Sequence, residues 1–215
     1  MELSHLEIEN YCAAHSSLGT NLQQDLIKYT EGNIHGSQML SGIFQGTLLT
    51  IISKSIQPLR ILEIGTFTGF SALCLAEGLR KDGKLISFEI DKKLKSVHDQ
   101  FIEKSSFADK IEIIYGDVNI ILPTMKTLFD LVYIDGSKKD YPSLFNLCLE
   151  KLAPNGSILV DNVLWKGKVL PGYKEEPDKN TAILKDFNNT VSENEKLLKI
   201  LLPIRDGLYW IMKKE

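Results

Sequence analysis

The chain has 215 residues, 43% hydrophobic and 25% charged, enough for one domain with a large core. Its formal net charge of −3 leaves no basic footprint for nucleic acid, and Lys92, Lys93, Lys95, Lys213 and Lys214 read as solvated helix and tail charges. The polar opening Met1-Glu2-Leu3-Ser4-His5 argues against a signal peptide and no apolar run approaches bilayer-spanning length. Cys12, Cys74 and Cys148 lack C-x-x-C spacing and read as reduced, buried thiols, so a cytoplasmic protein without membrane contact is expected.

In chain order, apolar periodicity predicts helices over about 3–15, 20–30 and 42–54, the last carrying Ile43, Phe44, Leu48, Leu49, Ile51 and Ile52. A strand at 59–64 is followed by helix 70–81, strand 84–90, helix 92–105, strand 111–115 and helix 118–127. Then come strand 129–134, helix 141–152, strand 157–161, with Pro154-Asn155-Gly156 as the turn before it, and helix 179–190. Continuous apolar strands alternating with helices imply a parallel sheet covered on both faces. The runs 197–204 and 208–212 are joined by Arg205-Asp206-Gly207, a hairpin signal that turns the last strand antiparallel.

Chemistry gathers at the strand ends. Gly65-Thr66-Phe67-Thr68-Gly69 joins the first strand to a helix, where backbone N–H groups surround a ligand. Bulky Phe67 stands where a dinucleotide loop needs a second glycine, so a pyrophosphate cofactor is disfavoured. Glu89 ends the second strand, twenty residues beyond Gly69, where an acid binds a ribose diol. A nucleoside without a diphosphate is implied, and S-adenosylmethionine fits. Asp135 closes the apolar run Leu131-Val132-Tyr133-Ile134, and Asp161-Asn162 closes Ile158-Leu159-Val160. Each alone reads as a cap or turn; together they suggest hard oxygen ligands for a divalent cation. His5, His15, His35 and His98 lie away from the strand ends, and neither a G-x-S-x-G elbow nor a P-loop lysine motif is present.

Leu62-Glu63-Ile64-Gly65-Thr66-Phe67-Thr68-Gly69-Phe70-Ser71, the Asp135-x-x-Lys138 step, Asp161-Asn162-Val163-Leu164-Trp165 and Asp206-Gly207-Leu208 together resemble the cation-dependent O-methyltransferases. That family includes caffeoyl-CoA and catechol O-methyltransferases and many bacterial relatives. Met39 to Gly46 is similar to the family's Met-x-Val-x-Pro-x-Gln-Gly helix start, departing at Ser41 and Ile43. The resemblance runs from about Met39 to the C-terminus. It implies a single α/β domain over 1–215: a doubly wound, seven-stranded Rossmann-like sheet, mostly parallel with an antiparallel last strand. Residues 1–55 would form an N-terminal helical cap, and a homodimer is implied by the resemblance alone.

Residue by residue, the resemblance implies that Gly65 and Gly69 shape the S-adenosylmethionine loop and that Glu89 takes the ribose. Glu63 would contact the methionine end beside Phe67, and Ser71 its carboxylate at a helix N-terminus. Asp117 and Val118 would meet adenine, although Asp117 is an equally good helix N-cap. Met39, Ser41 and Asp135 are further cofactor candidates. Asp135, Asp161 and Asn162 would hold the cation, Mg2+ first, with Mn2+ or Ca2+ as alternatives. Two adjacent hydroxyls of a small aromatic acceptor would complete its coordination, and Lys138, its pKa lowered by burial and metal charge, would take the proton. Trp165, and with less support Tyr173, would stack on the acceptor; each also reads as packing. The rival readings are a methyltransferase of another acceptor class, with nitrogen or a non-aromatic hydroxyl attacking, and a noncatalytic S-adenosylmethionine-binding protein. Asp135-Gly136-Ser137 does not resemble the Asn/Asp-Pro-Pro-aromatic motif of nitrogen methylation, and a binding protein needs neither Lys138 nor the three oxygen ligands.

Overall fold

The computed structural model describes residues 5–173 and 178–214. Its elements are α1 (His5–Ala14), α2 (Asn21–Asn33), α3 (Gly42–Ile56), β1 (Arg60–Ile64), α4 (Phe70–Ala76), β2 (Lys84–Glu89), α5 (Lys95–Phe101), β3 (Ile111–Tyr115), α6 (Val118–Ile121), β4 (Phe129–Ile134), α7 (Tyr141–Glu150), β5 (Leu152–Asp161), α8 (Lys179–Glu193), β6 (Leu197–Leu202) and β7 (Leu208–Lys213). The first two residues of the expected helix 3–15 lie outside the described residues.

The seven strands form one sheet in the order β3-β2-β1-β4-β5-β7-β6. β1 and β4, β2 and β3, and β4 and β5 pair parallel. β7 pairs antiparallel with both β5 and β6, as the Asp206-Gly207 signal predicts. Strand order reverses between β1 and β4, and in such sheets a ligand binds beyond the carboxyl ends at that reversal.

Two compact units are distinguished, one of residues 1–59 and 66–116, the other of 60–65 and 117–215. In the first, α2 starts at a capping box in which Thr20 and Gln23 satisfy each other's exposed backbone N–H groups. Gln23 Nε2 continues to Glu77 at 3.0 Å, and Lys54 meets the same carboxylate at 2.8 Å. α3 is tied to α4 by Thr50 Oγ1 and Ser53 Oγ, which donate to the carbonyls of Cys74 and Leu75. In the second, the four residues from Leu131 to Ile134 are completely buried, and Phe187 of α8 meets Tyr141 and Phe145 of α7 edge-on. Removing side chains of this size from water stabilises the fold by about 1.5–3 kcal/mol each.

Several elements differ from the sequence expectation for local reasons. α4 stops at Ala76, well before residue 81, because the chain turns back and Arg80 N–H donates to the Pro58 carbonyl. α6 covers four residues and gives way to a 3-10 turn containing Pro123, which cannot continue a helix. The 92–105 segment divides into a 3-10 turn capped by Asp91 and the short α5.

Pro154-Asn155-Gly156 is not a turn before β5 but lies within it. Phe129 pairs with Leu152 and Leu131 with Ser157, so β5 advances five residues while β4 advances two. The surplus is a bulge with Asn155 at a φ of 61°, one of the few settings in which a strand accommodates proline. Buried Leu152 enters the sheet before the turn-forming residues are reached.

Ser37–Ile56 is long and apolar enough to cross a membrane, against the expectation that no apolar run approaches that length. The stretch breaks at Leu40, where ψ is 132°. α3 itself, with 15 residues, rises about 22 Å, short of a bilayer core of roughly 30 Å, and the two hydroxyls just named bind it to α4. All three cysteines are free; Cys74 and Cys148 are buried as expected, but Cys12 is half-exposed. Burial pushes the Cys148 thiol up to about 12.

Candidate active site

The loop after β1 is built from conformations that its residue types barely tolerate unless held. Gly65 has a φ of 98°, and a Cβ there would lie 2.2 Å from the Asp135 carbonyl oxygen, so only glycine fits. Asp135 N–H in turn donates to the Ile64 carbonyl at 2.9 Å, which ties the first residue after β4 to the last of β1.

In the first unit, Gly69 at a φ of 92° closes a turn on Thr66 and starts α4. Phe67 also sits in the left-handed region, at a φ of 47°, uncommon for a bulky side chain. Its N–H donates to Glu89 Oε2 at 2.7 Å, while Glu89 Oε1 accepts from Ile90 and Asp91 N–H at 2.8 Å each. Glu89 thus anchors the loop to the end of β2. Thr68 accepts from Thr30 of α2 at 3.1 Å, and the hydroxyls of Thr66 and Ser87 meet at 2.5 Å. Ser71 lies buried in the first turn of α4; Ser41 is buried ahead of α3, whereas Met39 is 58% exposed.

His98, set aside by the sequence analysis, belongs to this cluster. Its Nε2 lies 2.6 Å from the Phe67 carbonyl and its Nδ1 2.6 Å from the Tyr115 hydroxyl. The sequence signal was slight: Leu94, Val97, His98 and Phe101 form one buried helical face, on which a histidine reads as packing. Burial holds the imidazole pKa below its ordinary value, opposed by the Phe67 hydrogen bond and the Glu89 and Asp99 carboxylates.

Among the candidates of the second unit, Glu63 is fully buried on β1. Asp117 is exposed and caps α6, its Oδ1 accepting from Asn119 N–H at 2.9 Å, and Val118 is buried behind it. Asp117 fills the capping role weighed for it.

The register of β4 and β5 ends with Ile134 opposite Val160, so Asp135 and Asp161 come next on adjacent strands, whose axes are about 4.8 Å apart in any sheet. Asp161 is 2% exposed; its Oδ2 accepts from Tyr133 Oη at 2.6 Å and its Oδ1 from Asn162 N–H at 2.7 Å. Asn162 adopts a φ of 57°, which asparagine tolerates better than most residues. Lys138, 9% exposed, places Nζ 3.0 Å from Asp135 Oδ1, 3.2 Å from the Gly136 carbonyl and 2.6 Å from Tyr141 Oη. Tyr141 Oη donates onward to the Asp161 carbonyl at 2.9 Å. An ammonium has three donors, and these three acceptors match them.

Asp206 joins the same region from the β6–β7 turn. It accepts from Lys166 N–H through Oδ1 and from Leu164 N–H through its carbonyl, knitting the hairpin to the segment after Asn162. Burial raises the Asp206 pKa, and Lys166 N–H, Lys138 and Arg205 act against the rise. Tyr141 is pushed far above the usual phenol range by burial and then by the Asp135, Asp161 and Asp206 carboxylates, so it is a neutral hydroxyl at all working pH values. Trp165 is half-buried at a φ of 48°, and its indole N–H has no acceptor among the described residues. Tyr173 N–H donates to Leu170.

A 3-2-1-4-5-7-6 sheet with an antiparallel seventh strand and a glycine turn after β1 defines the Rossmann-like methyltransferase fold. A methyltransferase of Podospora anserina, solved with SAH bound, shares it over 100% of this chain and 98% of its own, with a TM-score of 0.89 at 24% identity. An O-methyltransferase of Bacillus cereus, also in complex with SAH, does so over 97% of both chains, with a TM-score of 0.84 at 22% identity. The chain belongs to the O-methyltransferase family, whose profile matches residues 13–214, and is therefore an enzyme of methyl transfer. It is similar to a probable caffeoyl-CoA O-methyltransferase of Dictyostelium discoideum, 29% identical over 218 residues that cover 96% of this chain and 91% of the relative. A catechol O-methyltransferase of Niastella koreensis is 34% identical over 137 residues, 62% of each chain.

Proposed function

We propose that this enzyme transfers the methyl group of S-adenosylmethionine to one hydroxyl of a small aromatic vicinal diol, assisted by a divalent cation held by Asp135, Asp161 and Asn162. The observation that carries this reading is the Lys138 ammonium bound to Asp135 and, through Tyr141, to the backbone of Asp161. A noncatalytic binding protein has no need of a half-buried lysine held by one strand-end acid and linked through a tyrosine to the backbone of the next. The names of the relatives, caffeoyl-CoA and catechol O-methyltransferases, support an aromatic diol acceptor.

Two carboxylates and an amide oxygen are hard donors of the kind that Mg2+ takes, and their places on adjacent strand ends suit a shared ion. No cluster of three His, Cys, Asp or Glu side chains occurs among the described residues, so Asn162 completes the set and water or acceptor oxygens the remainder. When bound, the cation supplies a Lewis acid that lowers the pKa of the attacking phenol.

Every other part of the chemistry falls to the chain. The acceptor oxygen attacks the sulfonium methyl in line; the C–O bond forms as the C–S bond breaks and the positive charge on sulfur disappears. Holding the two partners in contact is the main contribution of the protein. Lys138 is assigned the hydroxyl proton: its ammonium first releases one proton to solvent, giving up one of its three donated hydrogen bonds, and the neutral amine then accepts the proton of the attacking hydroxyl. Glu89, with the Phe67 loop tied to it, is assigned to the ribose diol, and Trp165, whose indole N–H has no acceptor among the described residues, to the acceptor ring or a polar atom on it. Methyl transfer to a panel of catechols and monophenols, with and without a chelator, tests this reading. Transfer to a nitrogen acceptor, or none at all, rejects it.

A further inference from the structure

We propose that His98 is a positioning residue for the cofactor: it holds the Phe67 peptide in its left-handed conformation and so keeps the loop at Gly69 and the Glu89 carboxylate in the arrangement that accepts S-adenosylmethionine. The inference rests on the cofactor reading just given and extends it to a residue away from the strand ends.

Phe67 stores backbone strain, as a bulky non-glycine residue does at a φ of 47°, and strain of that kind persists only where the surroundings hold it. Both polar groups of its backbone are held by side chains: the N–H by Glu89 Oε2 at 2.7 Å and the carbonyl by His98 Nε2 at 2.6 Å. A carbonyl oxygen only accepts, so Nε2 must carry the proton. In the neutral ring Nδ1 is then an acceptor, and the Tyr115 hydroxyl donates to it at 2.6 Å. Tyr115 pairs with Glu89 in the β2–β3 register. Tyr115, His98, Phe67 and Glu89 therefore form a closed circuit: strand partner, imidazole, loop peptide, carboxylate, and back to the strand partner.

The circuit separates two jobs that a buried histidine might have. As packing, His98 fills space between α5 and the loop, and an apolar side chain of similar size replaces it. As a positioning residue it must donate one hydrogen bond at the Nε2 position. His98→Gln retains a donor at a similar reach, while His98→Leu keeps bulk and loses the donor.

The test is calorimetric binding of S-adenosylhomocysteine at pH 8 to the wild type, His98→Gln, His98→Leu and Tyr115→Phe, with turnover measured at saturating S-adenosylmethionine. The expected result is a dissociation constant about tenfold higher for His98→Leu, the usual effect of leaving a buried acceptor unpaired, and within about threefold of wild type for His98→Gln. Turnover at saturation should stay within about twofold, because the reacting atoms are untouched. Tyr115→Phe, an isosteric change at a half-buried site, should weaken binding about threefold and keeps the inference testable if His98→Leu does not fold. Equal affinities for all four proteins, or His98→Gln as weak as His98→Leu, overturn the inference alone. A wild type that binds no S-adenosylhomocysteine overturns the cofactor reading first and this inference with it.

Discussion

Tyr141 Oη stands between two groups of the candidate centre, accepting from Lys138 Nζ at 2.6 Å and donating to the Asp161 carbonyl at 2.9 Å. The Lys138 ammonium also lies 4.7 Å from the centre of the Tyr141 ring, so the lysine touches this residue through both its hydroxyl and its face. Tyr141→Phe retains the ring and removes the relay. The Asp161 carbonyl loses its donor and Lys138 one acceptor, which should cost about 1–3 kcal/mol of stability. Turnover should fall while cofactor affinity holds. Chemical denaturation and steady-state kinetics on the same preparation check both. Unchanged turnover in the variant shows that Lys138 needs no such support.

Lys138 itself is tested by two substitutions that separate charge from proton transfer. Lys138→Ala should lower turnover by about a hundredfold or more, the usual contribution of general-base catalysis, with cofactor affinity nearly unchanged. Lys138→Arg preserves the cation beside Asp135 but cannot lose a proton near neutrality. If the arginine variant turns over at the wild-type rate, Lys138 is a counter-charge and the base lies elsewhere.

Activity should require a divalent cation. Exhaustive chelation is expected to abolish turnover, and added Mg2+ to restore it; full activity in metal-free protein rules the cation out. The structure guides the choice of variant here. Asp161 also satisfies the buried Tyr133 hydroxyl, so Asp161→Ala mixes a lost ligand with a stability loss of about 1–3 kcal/mol. Asn162→Gly avoids that hydrogen bond and keeps the left-handed φ of 57°, and its metal affinity, read by calorimetry with Mn2+, should fall without loss of S-adenosylhomocysteine binding.

What could be read in advance was set by short-range signals. Gly65, Asp135 and Asp161-Asn162 stand directly after apolar runs, and the Asp206-Gly207 pair sits between two others, so strand ends, hairpin and the direction of β7 were legible. Pro154-Asn155-Gly156 misled because its turn chemistry is genuine, while the long-range pairing of Leu152 with Phe129 decides that the turn becomes a bulge. Tyr133, Tyr141 and His98 were missed for a related reason. Each reads as a packing residue of its strand or helix, and only the fold supplies the acceptor or donor that gives its polar atom a task.

Burial of neutral His98 makes a pH prediction. The folded pKa lies below the ordinary imidazole value of 6.5 that the unfolded chain retains, so between the two the unfolded state binds more protons and stability rises with pH. The contribution is complete above 6.5 and is lost as the pH falls through the folded value. Denaturation midpoints of wild type should decline in that window, and His98→Gln should remove that part of the decline. Parallel curves for the two proteins would show that His98 is not the group responsible.

The acceptor should be an aromatic with two adjacent hydroxyls, methylated on one of them per turnover. Asp135, Asp161 and Asn162 would supply three oxygens to the cation and leave places for a chelating pair, and chelation would both orient the ring and acidify the attacking hydroxyl. A single-hydroxyl analogue would keep the ring contact assigned to Trp165 but lose one oxygen donor, so it should react far more slowly. An acceptor already methylated at one hydroxyl should behave like the monophenol. The comparison is a matched trio, a catechol, its monohydroxyl analogue and its mono-O-methyl ether, assayed with the same metal and cofactor. Trp165→Phe adds a control: it preserves an aromatic surface and removes the indole N–H, and should lower the rates of all three acceptors alike. If the monophenol keeps pace with the catechol, chelation does not organise this site and the diol assignment fails, even if metal dependence survives.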